Sequence, residues 1–400
     1  MLSVSEARER ILQGLRPTAP EVVSLASGSG RVTALPVMAR LDNPPADVSS
    51  MDGYAVRAAD LSATGVKLRL IGESPAGHPF DGTVGAGECV RIYTGSIVPD
   101  GADAIVIQEN ATQHDDIVTT SQTATAGLYV RRKGQDFARG HEIIPAGRRL
   151  DARGIGVAAA ANHPWVTVHR RPRVGIVATG DELCLPGDPI GPGMIANSNT
   201  LMLATLVRAA GAEPVMMPVA RDRMEDLLAL SHMLDGLDML VTIGGASVGR
   251  YDLVQEGLKR IGMEPDFWKI AMRPGKPLMH GRLNGMPLIG VPGNPVAAFV
   301  CGTLFVVPAL QRLAGEQDVG PDVDVAILGE DVAANDQRES YLRARLRRDS
   351  AGMLTALPFS RQDSAMLHLL TESQALIIRD PLAPPARKGD MCRIIRLDIR

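Results

Sequence analysis

The chain has 400 residues, of which 45% are hydrophobic, 22% charged and 3% aromatic, and its formal net charge is -3. That length allows about two to four domains with sizeable cores, and the charge argues against general binding to nucleic acid or an anionic membrane, which needs a clear positive excess. Cys89, Cys184, Cys301 and Cys392 are far apart and form no C-x-x-C pair, which speaks against a structural zinc site or a disulfide framework and fits a reducing cytoplasm.

The N-terminal stretch MLSVSEARERILQGLRP predicts a helix, because Ser3 and Glu6 make a capping box and Val4, Ala7, Ile11, Leu12 and Leu15 fall on one face. It lacks an apolar core of signal-peptide length. A short strand follows, and this first segment ends at Pro44-Pro45. Residues 45–140 are rich in Gly and in β-branched runs such as CVRIYTGSIV and DAIVIQE, which predicts a mostly β module. Helix and strand texture returns over 141–172, and Pro172 marks a boundary.

From Arg173 to about residue 317 strands and helices alternate, beginning VGIVAT, TLMLATLVRAAG, EPVMMPVA. That alternation predicts a doubly wound, largely parallel sheet. Within it the apolar run VAAFVCGTLFVVPALQRL from Val296 contains Pro308 and Arg312, so it reads as a buried helix rather than a membrane span. Over residues 318–400 helical periodicity disappears, and runs such as YLRARLRR and MCRIIRLDI predict a small antiparallel sheet or barrel.

Ligands of open α/β sheets bind outside the carboxyl ends of the strands, which directs attention to five loops. These are TGDEL with Asp181 and Glu182, RDR with Asp222, GGASVGRYD with Ser247 and Asp252, RPGKP with Arg273 and Lys276, and PGNP with Asn294. Converging carboxylates suit a hard cation such as Mg²⁺. Cations beside a helix N-terminus make a local anion site on a net-negative protein. Against this stand blander readings: Asp222 as a helix cap with Glu225 three residues on, Asp181 and Glu182 as a solvated first turn, and the charges as a surface ion-pair network.

Gly245-Ala246-Ser247-Val248-Gly249 also spells the G-x-S-x-G of a serine-hydrolase elbow. No H-G-G-G oxyanion loop occurs, Gly249 intervenes before the helix, and only His280 and His368 follow as bases. A phosphate-cradling Walker loop fails too, because Arg250-Tyr251 stands where Lys-Ser or Lys-Thr is needed. What remains is a Gly loop that lets a ligand approach the backbone, with Ser247 as a hydrogen-bond donor and Asp252 as a metal ligand.

The runs SSMDGYAV, YTGSIVPDGADAIVIQE, VRRKGQD, VGIVATGDEL, GGASVGRYD, FWKIAMRPGKP and GVPGNPVAAF, in this order and spacing, resemble the MoeA family of molybdopterin molybdenumtransferases, which includes the E domain of gephyrin. The resemblance implies Mg²⁺-dependent insertion of molybdate into adenylylated molybdopterin with release of AMP. It implies a cytoplasmic homodimer in contact with a molybdopterin adenylyltransferase. The implied α/β multidomain fold has a linker domain (residues 1–44 with 141–172), an inserted β-rich domain (45–140), a doubly wound molybdopterin-binding domain (173–317) and a C-terminal β-barrel (318–400). Each active cleft would lie between the α/β domain of one subunit and the inserted domain of the other.

Carried over by motif, the resemblance implies catalytic roles for Asp52, Thr94, Glu182, Asp222 and Asp252, with Glu182, Asp222 and Asp252 as metal ligands. It implies substrate binding by Lys269, Arg273, Lys276, Arg343 and Ser364, beside Ser247 and Asn294. Arg273 departs from the family's usual Lys and brings a bulkier, bidentate donor; Ala246 and Ala365 are lesser departures. Structural readings compete at Asp52 (a turn beside Gly53), Thr94 (bracing a Gly turn), Lys269 (a solvated strand end) and Arg343 (a solvated basic face with Arg345, Arg347 and Arg348). Two rival functions are a molybdopterin adenylyltransferase, whose single domain resembles residues 173–313, and a non-catalytic scaffold. The 170 residues before the α/β domain oppose the first, and the lack of a long disordered linker opposes the second.

Overall fold

A computed structural model describes residues 1–244, 251–348 and 352–397 of the chain. Its central layer comes from the apolar runs of the α/β segment. Arg173–Ala178, Met239–Ile243 and Met286–Val291 are buried almost end to end, as strands covered on both faces must be. They form a six-stranded sheet in the order Glu213–Met216, Arg173–Ala178, Met239–Ile243, Met286–Val291, Met279–Leu283, Met263–Phe267. The first four strands are parallel and the last two antiparallel.

Side-chain alternation divides the apolar residues between two cores. Val174, Ile176 and Ala178 pack with Leu203, Val207 and Phe305 on one face; Val177 and Leu240 pack with Leu227 and Leu258 on the other. The sheet is therefore doubly wound. Pro295–Leu313 is long and apolar enough to cross a membrane by length and composition, yet 78% of its most apolar window is buried inside the protein. It supplies one of those core faces.

The N-terminal helix, Val4–Leu12, has the expected capping box between Ser3 and Glu6. Its buried face, Val4, Ala7 and Ile11, joins the α/β core rather than the small core of Val37, Ile144, Leu150, Ala158 and Val168. That small core lies beneath the antiparallel pair Pro20–Ser24 with Trp165–His169 and the Asp151-capped helix Ala152–Ala160. Arg149 bolts it to the α/β unit, donating to the carbonyls of Gly30 (2.8 Å) and Ala210 (2.9 Å) and pairing with Glu316.

Residues 45–140 contain a second six-stranded sheet, ordered Ala104–Ile107, Gly53–Val56, Glu88–Ile92, Lys67–Ser74, Ile117–Thr120, Ala111–His114. At the C-terminal end Glu339–Arg348, Leu354–Pro358, Val323–Leu328, Met391–Arg396 and Ala375–Arg379 pair in a closed ring, a five-stranded barrel with one parallel contact. Met272–Arg273 adds to its rim, pairing in parallel with Glu339 and Ser340. The α/β domain and the barrel are thus sutured beside the RPGKP loop.

Candidate active site

Three strand-end loops meet at the carboxyl edge of the parallel sheet because glycines let them. The Thr179 N–H donates to the Ile243 carbonyl at 2.9 Å, and the Gly244 N–H to the Val291 carbonyl at 3.1 Å. Gly244 has φ +90°, and a Cβ there would lie 3.0 Å from the Thr179 carbonyl oxygen; one on Gly293 would lie 3.7 Å from Gly244 Cα. Only glycine combines that conformation with that approach.

The acidic loops are tied to one another. Asp181 Oδ1 accepts from the Asp222 N–H at 3.1 Å, and Arg221 Nη1 donates to the carbonyls of Asp181 (2.8 Å) and Leu183 (3.0 Å). Glu182 folds back over Gly180, its Oε2 only 2.6 Å from where a Cβ would stand. The capping reading of Asp222 is overturned: the next helix, Met224–Ala229, has Arg223 at its N-cap without a side-chain cap bond, and Asp226 instead accepts from the Arg221 N–H at 2.9 Å. Ser247 lies outside the described residues, as does the side chain of Asp252, whose backbone lies in the first turn of the helix Tyr251–Arg260.

The barrel packs onto the last of these loops. Asn294 Nδ2 donates to Ser364 Oγ at 3.1 Å, and the Val296 N–H donates to the Ser364 carbonyl at 3.1 Å, so the barrel loop carrying Ser364 sits on the N-terminus of the helix at Pro295. Asn199, which the sequence reading did not single out, donates from Nδ2 to the Gly293 carbonyl at 2.6 Å. Arg273 and Lys276 are exposed on either side of Gly275. Gly275 has φ +117°, and a Cβ there would reach within 2.3 Å of Met272 Cε and 2.7 Å of Cys301 Sγ. Lys269 is exposed just before this loop.

Arg343 differs from both readings made of it. Its side chain is 1% exposed, and its guanidinium donates to the carbonyls of Met366 (3.0 Å), Asp363 (2.9 Å) and Arg361 (3.2 Å). It is neither on a solvated face nor open to an oxyanion; it sets the loop that presents Ser364. The elbow's candidate bases are also engaged, His280 with Asp266 at 3.1 Å and His368 with Glu372 at 3.7 Å.

Asp52 and Thr94 form a separate pair in the inserted sheet. Thr94 donates from its N–H (2.7 Å) and hydroxyl (2.8 Å) to Asp52 Oδ1, and the backbone bond foremost holds the carboxyl below its ordinary value. No hydrogen bond or ion pair between described residues joins residues 45–140 to the α/β loops. Among the described residues no three His, Cys, Asp or Glu side chains form a metal-holding group. Oxygen donors on joined loops, Glu182 and Asp222, nonetheless suit Mg²⁺, which keeps several waters and takes one or two carboxylates.

A doubly wound α/β domain whose strand-end loops meet a barrel loop, plus an inserted sheet carrying the Asp52–Thr94 pair, defines a multidomain α/β protein. Residues 2–162 match the MoeA N-terminal region (domain I and II), 175–312 a probable molybdopterin binding domain, and 325–397 the MoeA C-terminal region (domain IV). A molybdopterin molybdenumtransferase of Nostoc is 37% identical over 80% of this chain and 76% of its own length. Molybdopterin molybdenumtransferase 2 of Mycobacterium tuberculosis is 34% identical over 90% of this chain and 91% of its own. The crystal structure of the molybdopterin biosynthesis MoeA protein from Pyrococcus horikosii superposes with a TM-score of 0.83 at 29% identity, covering 99% of both chains. The chain belongs to the MoeA family, the molybdopterin molybdenumtransferases of molybdenum cofactor biosynthesis.

Proposed function

We propose that this transferase inserts molybdate into adenylylated molybdopterin with release of AMP, in a Mg²⁺-dependent reaction of the cytoplasm. The observation that carries the reading is the Asn294–Ser364 hydrogen bond, which supports a single cleft with carboxylates on one wall and cations on the other. Glu182, Asp222 and Asp252 would hold Mg²⁺, which when bound supplies Lewis-acid polarisation of the pyrophosphate. Lys269, Arg273, Lys276 and Ser364 receive molybdate, whose double negative charge requires charged donors. Arg343 acts through the Ser364 loop, Ser247 and Asn294 contact the cofactor, and the glycines admit its phosphate to the backbone. Asp52 and Thr94 close the cleft from the other subunit of a homodimer, and contact with a molybdopterin adenylyltransferase delivers the substrate.

The test incubates purified protein with adenylylated molybdopterin, molybdate and Mg²⁺ and measures AMP. Release should depend on all three and should collapse in Glu182→Ala and Lys276→Met. AMP appearing no faster than without protein would sink the reading.

A further inference from the structure

The inserted sheet surrounds one guanidinium that the proposed reaction has not used. Tyr54 and Arg91 are direct partners in the antiparallel pair of Gly53–Val56 with Glu88–Ile92, so their side chains share a face. Arg91 Cζ lies 5.0 Å from the ring centroid of Tyr54 and 5.4 Å from that of Tyr93. Its Nη2 donates to Gln108 Oε1 at 2.7 Å. Both rings are anchored in turn, Tyr54 donating to Gln113 Oε1 at 3.0 Å and Tyr93 to Glu73 Oε2 at 3.4 Å. The Gln108 N–H donates to the Asp52 carbonyl at 3.0 Å, which ties the whole group to the Asp52–Thr94 pair.

Arg91 is half-buried, and among the described residues no carboxylate forms an ion pair with it. A partly buried charge is ordinarily paired. Here two rings and the Gln108 amide hold it, the Asp52 carboxylate feels its charge without an ion pair to it, and only Nη2 is bonded to a protein acceptor among the described residues. A guanidinium fork matches tetrahedral oxyanions bidentately, and stacking on aromatic rings removes much of the entropy cost of fixing it.

We propose that Arg91 is a substrate-binding residue of the inserted domain, a pre-set guanidinium beside Asp52 and Thr94 that receives a tetrahedral oxyanion of the substrate. This rests on the transferase reading for its substrate. The oxyanion is either the nucleotide phosphate or molybdate, and two arms separate them: calorimetric titration of wild type, Arg91→Met and Arg91→Lys with AMP, and separately with sodium molybdate. Turnover and thermal midpoint are measured on the same proteins.

Arg91→Met should weaken one of the two anions by about tenfold or more and raise the substrate KM correspondingly, with the thermal midpoint little changed. Arg91→Lys, which keeps the charge and loses the fork, should recover part of that loss. An Arg91→Met protein with a lowered midpoint but unaltered anion affinities and KM would mean that the residue only caps the core, and would overturn the inference while AMP release leaves the transferase reading intact. Wild type that binds neither anion also overturns it. If wild type releases no AMP yet binds an anion in an Arg91-dependent way, the transferase reading falls and the anion site stands.

Discussion

Asp52 Oδ1 accepts two hydrogen bonds from a single residue, the backbone N–H and the hydroxyl of Thr94, at 2.7 and 2.8 Å. Both favour the ionised carboxylate, with the backbone bond the larger cause and the hydroxyl next. A depressed carboxyl stabilises the fold above its ordinary pKa, and that contribution is lost as pH falls through the depressed value. Thr94→Ala should therefore raise the Asp52 titration yet leave it below the ordinary 3.8, because the backbone donor remains. Carbon-detected NMR of the carboxyl reads this directly; a titration unmoved by the substitution would show that the hydroxyl does nothing there.

Arg343 and Ser364 should separate stability from activity. Removing the buried guanidinium strands three carbonyls, so Arg343→Met should destabilise by about 2–4 kcal/mol in chemical denaturation. Ser364→Ala removes one half-buried hydroxyl and should cost under about 1 kcal/mol, while raising the KM for molybdate. Equal stability losses in the two variants would contradict the division of labour.

Gly275 tests the geometry of the cationic loop. An alanine there meets Met272 and Cys301 and sits at φ +117°, which should cost about 1–3 kcal/mol. Because Arg273 and Lys276 flank it, turnover should fall further than stability does. A Gly275→Ala enzyme with wild-type melting and rate would refute the close packing.

Arg273 reaches Asp336 at 3.4 Å, with the two side chains 49% and 39% exposed. Such a pair contributes about 0–1 kcal/mol, so Arg273→Lys should leave the melting temperature nearly unchanged. Its effect should appear in oxyanion affinity, measured by molybdate titration, because the second guanidinium donor is what Lys lacks. A large stability change would assign Arg273 a structural role instead.

What the sequence revealed and what it hid follow the range of the forces involved. The Ser3–Glu6 cap and the apolar runs around Ile176, Leu240 and Ile289 are local patterns, and all were legible. Docking of the first helix onto Phe305 and Leu310 depends on a partner some 300 residues away, which its periodicity cannot name. The same distance in chain hid the burial of Arg343, since an alternating basic strand reads as solvated until the loop at residues 361–366 closes over it. Asp222 followed by Glu225 looked like a capping box, but the helix starts after Arg223 and the Asp181–Asp222 tie prevails. Arg91 was in plain view three residues before Thr94; its meaning comes from Tyr54 across the sheet.

The central claim is that the Asp52–Thr94 pair of one subunit and the α/β loops of another complete one active cleft. Mixing equal amounts of Asp52→Asn and Glu182→Ala proteins, each inactive alone, through dissociation and reassociation tests it most directly. Random pairing makes half of the dimers mixed, and each mixed dimer carries one intact cleft, so molybdate-dependent AMP release should return to about one quarter of wild type. A mixture no more active than its parents would contradict the account.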